Sequence, residues 1–280
     1  MLRTTLITSL SLFTIGCGGE EAGTITATVY GEEFIEEGIP VAAGEDPGFS
    51  DGWTLGFDKF LVSIGNAKAD LRADASAPEF YIVDLSKASS GNGVEITSFD
   101  APGGDYKRYG YTLKSDANAT GANADAADVT AMKAAGYSIW IKGTANKSGV
   151  TKTIDWGFKM QLAYSNCEMD LSVDGDDVEM QSTIHSDHLF FDDATSPEPE
   201  IAFQLVADAD GKGGAAADGM ITLAELAATD IRTQTRYQVG SLRDIRGQAI
   251  TNLEQYIQVQ ATTVGHINGE GHCADVSVTP

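Results

Sequence analysis

Four acidic side chains stand close together in the C-terminal half of this 280-residue chain: Asp208, Asp210, Asp218 and Glu225. With the backbone carbonyl of Met220 they offer only hard oxygen donors, the chemistry of a calcium site. A second donor set is nitrogen-rich. The chain has four histidines, in two clusters: His185-Ser186-Asp187-His188, and His266 with His272 beside Cys273. Imidazoles with one carboxylate, Asp187 being the natural choice, suit zinc or copper. On a strand, His185 and Asp187 share a face, and His188 reaches the same ion only where the strand ends. The competing reading is a group of histidines that hydrogen-bond at a sheet edge, near aromatics such as Phe190 and Phe191.

The stretch Asp218-Gly219-Met220-Ile221-Thr222-Leu223-Ala224-Glu225 resembles positions 5 to 12 of an EF-hand loop. The resemblance implies a carboxylate from Asp218, a sharp turn at Gly219, a backbone oxygen from Met220 and two oxygens from Glu225. Thr222 falls at the position where a water often mediates. Asp208 and Asp210 fit the first and third positions, but seven residues rather than one separate Asp210 from Asp218. The longer loop costs only about 0.2–0.5 kcal/mol to close. Ordering its Gly/Ala run pushes affinity toward the order of 10⁻⁴–10⁻³ M. Thr222 and Glu225 also have the form of a capping box, so Glu225 has a purely structural alternative. Asp174-Gly175-Asp176-Asp177 is acidic too, but alternating neighbours make it a hairpin turn.

Compartment is read from the N-terminus. Arg3 precedes a short apolar run over 6–15, and Thr14-Ile15-Gly16-Cys17 resembles the lipobox of bacterial lipoproteins. This implies a signal peptide over 1–16, a lipid on Cys17 that tethers the chain to a membrane, and a cell-envelope location, outer membrane or cell surface. Cys167 and Cys273 are then left in an oxidising compartment, where a disulfide is expected; the alternative is two free thiols. A formal charge of −23 argues against nucleic acid or anionic lipid surfaces as partners.

After a tether over 17–23, apolar alternation and short apolar runs predict strands over 24–30, 53–64, 80–85, 94–99, 108–113, 137–143, 153–164 and 178–184. Eight strands at this spacing give a mainly β fold, a Greek-key-like β-sandwich over 24–196. A helix is expected over 125–135, with Gly136 to stop it. The segment 197–280 is expected to be a helical appendage packed on the sandwich, with EF-hand-like helices over 197–207 and 222–229. A long amphipathic helix over 241–261 and an irregular tail follow.

Three further stretches, Phe57-Asp58-Lys59-Phe60-Leu61-Val62, Tyr81-Ile82-Val83-Asp84-Leu85 and Ala101-Pro102-Gly103-Gly104-Asp105-Tyr106, resemble the sandwich domains of bacterial lipoproteins called DUF4382. That resemblance implies a fold and no activity. No nucleophile elbow, His-Glu-x-x-His helix or phosphate loop is present, so no enzyme is expected. The leading expectation is an exported, lipid-anchored protein with a mainly structural Ca²⁺ site. The alternatives are a copper- or zinc-binding protein using the histidines, and an adhesion or carbohydrate-binding module. In the last, Trp53, Trp140 and Trp156 would stack on sugars unless they belong to the core.

Overall fold

The computed structural model describes residues 20–70 and 72–280; the expected signal segment and the start of the tether, Cys17 included, lie outside them. The described chain begins with β1 (Gly23–Tyr30), α1 (Glu32–Glu36), β2 (Thr54–Ala69), β3 (Ser76–Asp84), β4 (Val94–Ala101), β5 (Gly104–Leu113) and β6 (Thr120–Gly121). It continues with α2 (Ala126–Ala135), β7 (Ile139–Lys147), β8 (Val150–Phe158), β9 (Gln161–Val173), β10 (Asp177–Ile184) and α3 (Gln204–Ala207). Then come β11 (Met220–Ile221), α4 (Leu223–Ala227), α5 (Leu253–Gln260), β12 (Gly265–Ile267) and β13 (Cys273–Thr279).

The protein is mainly β, with two sheets. One is ordered β12-β10-β1-β4; the other is β11-β8-β7-β2-β5-β9-β13, with β3 and β6 attached through β2. Two-residue alternation explains the larger sheet. In β7 the side chains of Ile139, Ile141 and Ala145 are buried, and those between them are not. One hydrophobic core runs from Ile25 to Ile267 and takes residues from both sheets. Tyr109, Tyr111 and Tyr164 stack inside it, and Tyr111 donates to the carbonyl of His266 across the layers.

Several expectations need correcting. The strand expected over 153–164 is two strands. Ser138 Oγ donates to the carbonyls of Phe158 (3.1 Å) and Met160 (2.6 Å), which fixes the break between them. β8 stays beside β7, and β9 crosses to the far side of β5. The acidic stretch 174–177 is not a hairpin turn, because β9 and β10 belong to different sheets.

The helix expected over 197–207 shrinks to the single turn of α3. Pro197 and Pro199 disfavour helix before it, and Ile201 bridges to Phe49 and Phe191 instead. The long helix expected over 241–261 exists only as α5. Upstream, the Asp244 carboxylate takes the amides of Arg246 and Gln248, and Gly247 has a φ of +76°. A side chain that binds the local backbone this well turns the chain out of helix. The tail is not irregular. β12 joins one sheet and β13 the other, so residues 197–280 contribute strands to both layers.

Candidate metal centre

The four histidines, 81 residues apart in sequence between His185 and His266, are assembled by strand pairing. β12 runs antiparallel to β10, with His266 opposite Thr183. Directly opposed residues point to the same side, and so do residues two apart on a strand. His266, Thr183 and His185 therefore share one face, and the His185 amide extends the ladder to the Val264 carbonyl at 2.8 Å. The chain then leaves β10 in a 3₁₀ turn, Asp187–Phe190, which brings His188 back over the same point. Ring centroids lie 4.2 Å apart for His185 and His266, 5.3 Å for His185 and His188, and 5.1 Å for His188 and His266. His272 is 5.2 Å from His266 and exposed.

Cys167 and Cys273 form the expected disulfide and face each other across the β9–β13 ladder. The bond ties the residue after His272 to the larger sheet, and the His272 carbonyl accepts the Glu168 amide. Two histidine clusters from distant segments thereby meet at one end of the molecule.

Hydrogen bonds set the protonation of the rings. The Thr263 hydroxyl donates to the Gln260 carbonyl, so toward His188 Nδ1, 2.9 Å away, it can only accept. His188 therefore carries its proton on Nδ1 and presents a bare Nε2. His266 is 5% exposed, and its Nδ1 has no hydrogen-bond partner. Burial, then the neighbouring imidazoles, pushes His188 down to about 3 and His266 down to about 4. Both rings are thus neutral, with lone pairs for a cation. His185 differs. Burial alone would depress it, but Glu32 Oε1 at 3.2 Å from its Nε2 raises it instead. Asp187 lies 3.9 Å from His185 Nδ1, and burial lifts its carboxyl to about 6.

Groups of three donors within 4.8 Å of one another occur here twice among the described residues: His185, Asp187 and His188; and His185, His266 and Glu270. Glu32 and Glu270 were missed by the sequence reading. Glu32 reaches the site because β1 and β10 are parallel, with Tyr30 opposite Thr183, so both strands end at the same edge. No local pattern announces that pairing. Glu32 also has a φ of +54°, strained for a residue with a side chain. Glu270, between His266 and His272, could have been found from its neighbours alone.

The oxygen donors are arranged differently. No three of Asp208, Asp210, Asp218 and Glu225 have carboxylate oxygens within 4.8 Å of one another. Asp210 is ion-paired with Lys152, which holds it below the usual carboxylate range, and it accepts the amides of Asp218 and Gly219. Asp208 accepts from the Gln204 amide and Asp218 from the Met220 amide. Glu225 and Thr222 form a complete capping box at the start of α4, and the other Glu225 oxygen takes the Gly211 amide. Ile221 is buried against β8, which it joins in parallel, and Met220 is exposed. Of the tryptophans, Trp53 and Trp156 are buried, and Trp140 lies beneath Lys59 and Lys142.

No protein-family model, curated protein or solved structure matches this chain.

Proposed function

We propose that this chain is an exported metal-binding protein of the bacterial cell envelope whose centre takes a late first-row transition ion, Cu²⁺ or Zn²⁺. The observation that carries the reading is the meeting of His185, His188 and His266 at one point, with His272 beside His266, Nε2 of His188 bare and Nδ1 of His266 buried and unpartnered. An unpartnered polar atom in a buried ring is costly, and a metal ion would satisfy it. Imidazole nitrogens with a carboxylate select copper or zinc over calcium or magnesium. His185, Asp187 and His188 would form one donor set and His185, His266 and Glu270 another, with the exposed His272 on the solvent side. Glu32 against His185 is the carboxylate that orients and strengthens a ligating imidazole. The reading is of a binding protein and invokes no reaction.

The calcium reading of residues 208–225 draws less support, because Lys152 already neutralises Asp210 and the Glu225 oxygens serve the helix cap. Burial of two of three tryptophans weakens the sugar-stacking reading as well. Elemental analysis of protein purified without chelator tests the proposal. Bound copper or zinc is expected, and its loss in His188→Ala and His266→Ala. A chain free of both metals that takes up neither on titration would refute the reading.

A further inference from the structure

The centre has more donors than one ion needs. Seven side chains approach it: His185, His188, His266, His272, Asp187, Glu32 and Glu270. Five of them form two triads that share only His185, with Glu32 and His272 beside them. The two nitrogens of that ring look in different directions. Nδ1 faces Asp187, the residue next to His188. Nε2 faces Glu32 at 3.2 Å and the carbonyl of Gly269, beside Glu270, at 3.4 Å. The lone pairs of an imidazole diverge, so a single ion cannot use both.

The geometry points to a binuclear centre: one ion held by His185 Nδ1, Asp187 and His188, a second by His185 Nε2, His266, Glu270 and Glu32, with the His185 ring as the bridge. This rests on the transition-metal reading above and goes beyond it. In the metal-free chain His185 Nε2 faces two acceptors and keeps its proton. The second ion takes that proton's place, and the proton leaves to solvent. Charge supports the count. Two divalent ions bring four positive charges, and three carboxylates with a bridging imidazolate bring four negative ones, so the buried cluster is neutral. With one ion the three carboxylates would leave a net negative charge at a site built partly from buried residues.

The test is titration of the full chain, stripped with chelator, with Cu²⁺, followed by desalting, copper analysis and electron paramagnetic resonance. Two copper ions per chain are expected, with a low-temperature signal far below the copper content, because spins bridged by one imidazolate couple antiferromagnetically. Glu270→Gln changes an exposed side chain that the fold does not need. It should drop the content to one copper and restore a full-intensity signal. One copper with a full-intensity signal in the wild type overturns the binuclear centre and leaves the metal-binding reading standing. Two coppers with uncoupled spectra overturn the shared ring. No bound copper, and none of zinc in a parallel titration, removes both readings together.

Discussion

Burial holds His188 near 3 and His266 near 4, while Asp187 is lifted to about 6, and these shifts give the metal-free protein a signed pH dependence. Below about 6.5 the unfolded chain binds protons that folded His188 and His266 refuse, so stability present above pH 6.5 is lost as pH falls toward 4. Asp187 works the other way: its contribution is present below its ordinary 3.8 and is lost as pH rises through 6. His185, raised by Glu32, likewise stabilises below 6.5 and loses that contribution above. The two depressed rings outweigh the one raised carboxyl between pH 6.5 and 4. Urea unfolding of the chelated protein should therefore show a net loss on the order of a few kcal/mol over that range. Flat stability would mean that the rings are solvated. Glu32→Gln removes the partner of His185 Nε2, and competition titration should show metal affinity about 10–100-fold weaker. Histidine type and clustering were legible in the sequence at this scale. The tautomer of His188 was not, because it depends on Thr263, 75 residues away.

At the scale of elements, period-two alternation located nearly every strand of the first 184 residues, and α2 with its left-handed Gly136 was readable from one stop signal. What failed had a physical cause in each case. The apolar stripe over 241–252 has helical spacing, but Asp244 and Gly247 close a turn inside it. The short β12 and the edge strand β13 carry little periodicity, yet they complete the site. Their attachment is testable. Replacing Cys167 and Cys273 by Ser, which opens a loop of 106 residues, should cost about 5 kcal/mol in the chain-entropy picture and loosen His272. Calorimetry and metal titration of the double variant would check both effects, and unchanged metal affinity would assign the bond to stability alone. Thr222→Ala should cost about 1 kcal/mol through the lost cap of α4 and leave metal content untouched.

For the whole molecule, two chemistries that the sequence offered as rivals are kept apart in space, and ligand-dependent melting separates them. Copper or zinc should raise the melting temperature with concentration, whereas millimolar Ca²⁺ should leave it unchanged. A calcium-dependent rise would restore the loop over 208–225 as an ion site. The parallel pairing of β1 with β10 has one more consequence. β1 begins at Gly23, and Glu32, just past its far end, faces the histidines. Eight residues of extended strand therefore stand between Gly23 and the metal-binding edge, about 26 Å at 3.3 Å per residue. Ions and carriers would then meet the centre at the edge of the fold remote from Gly23.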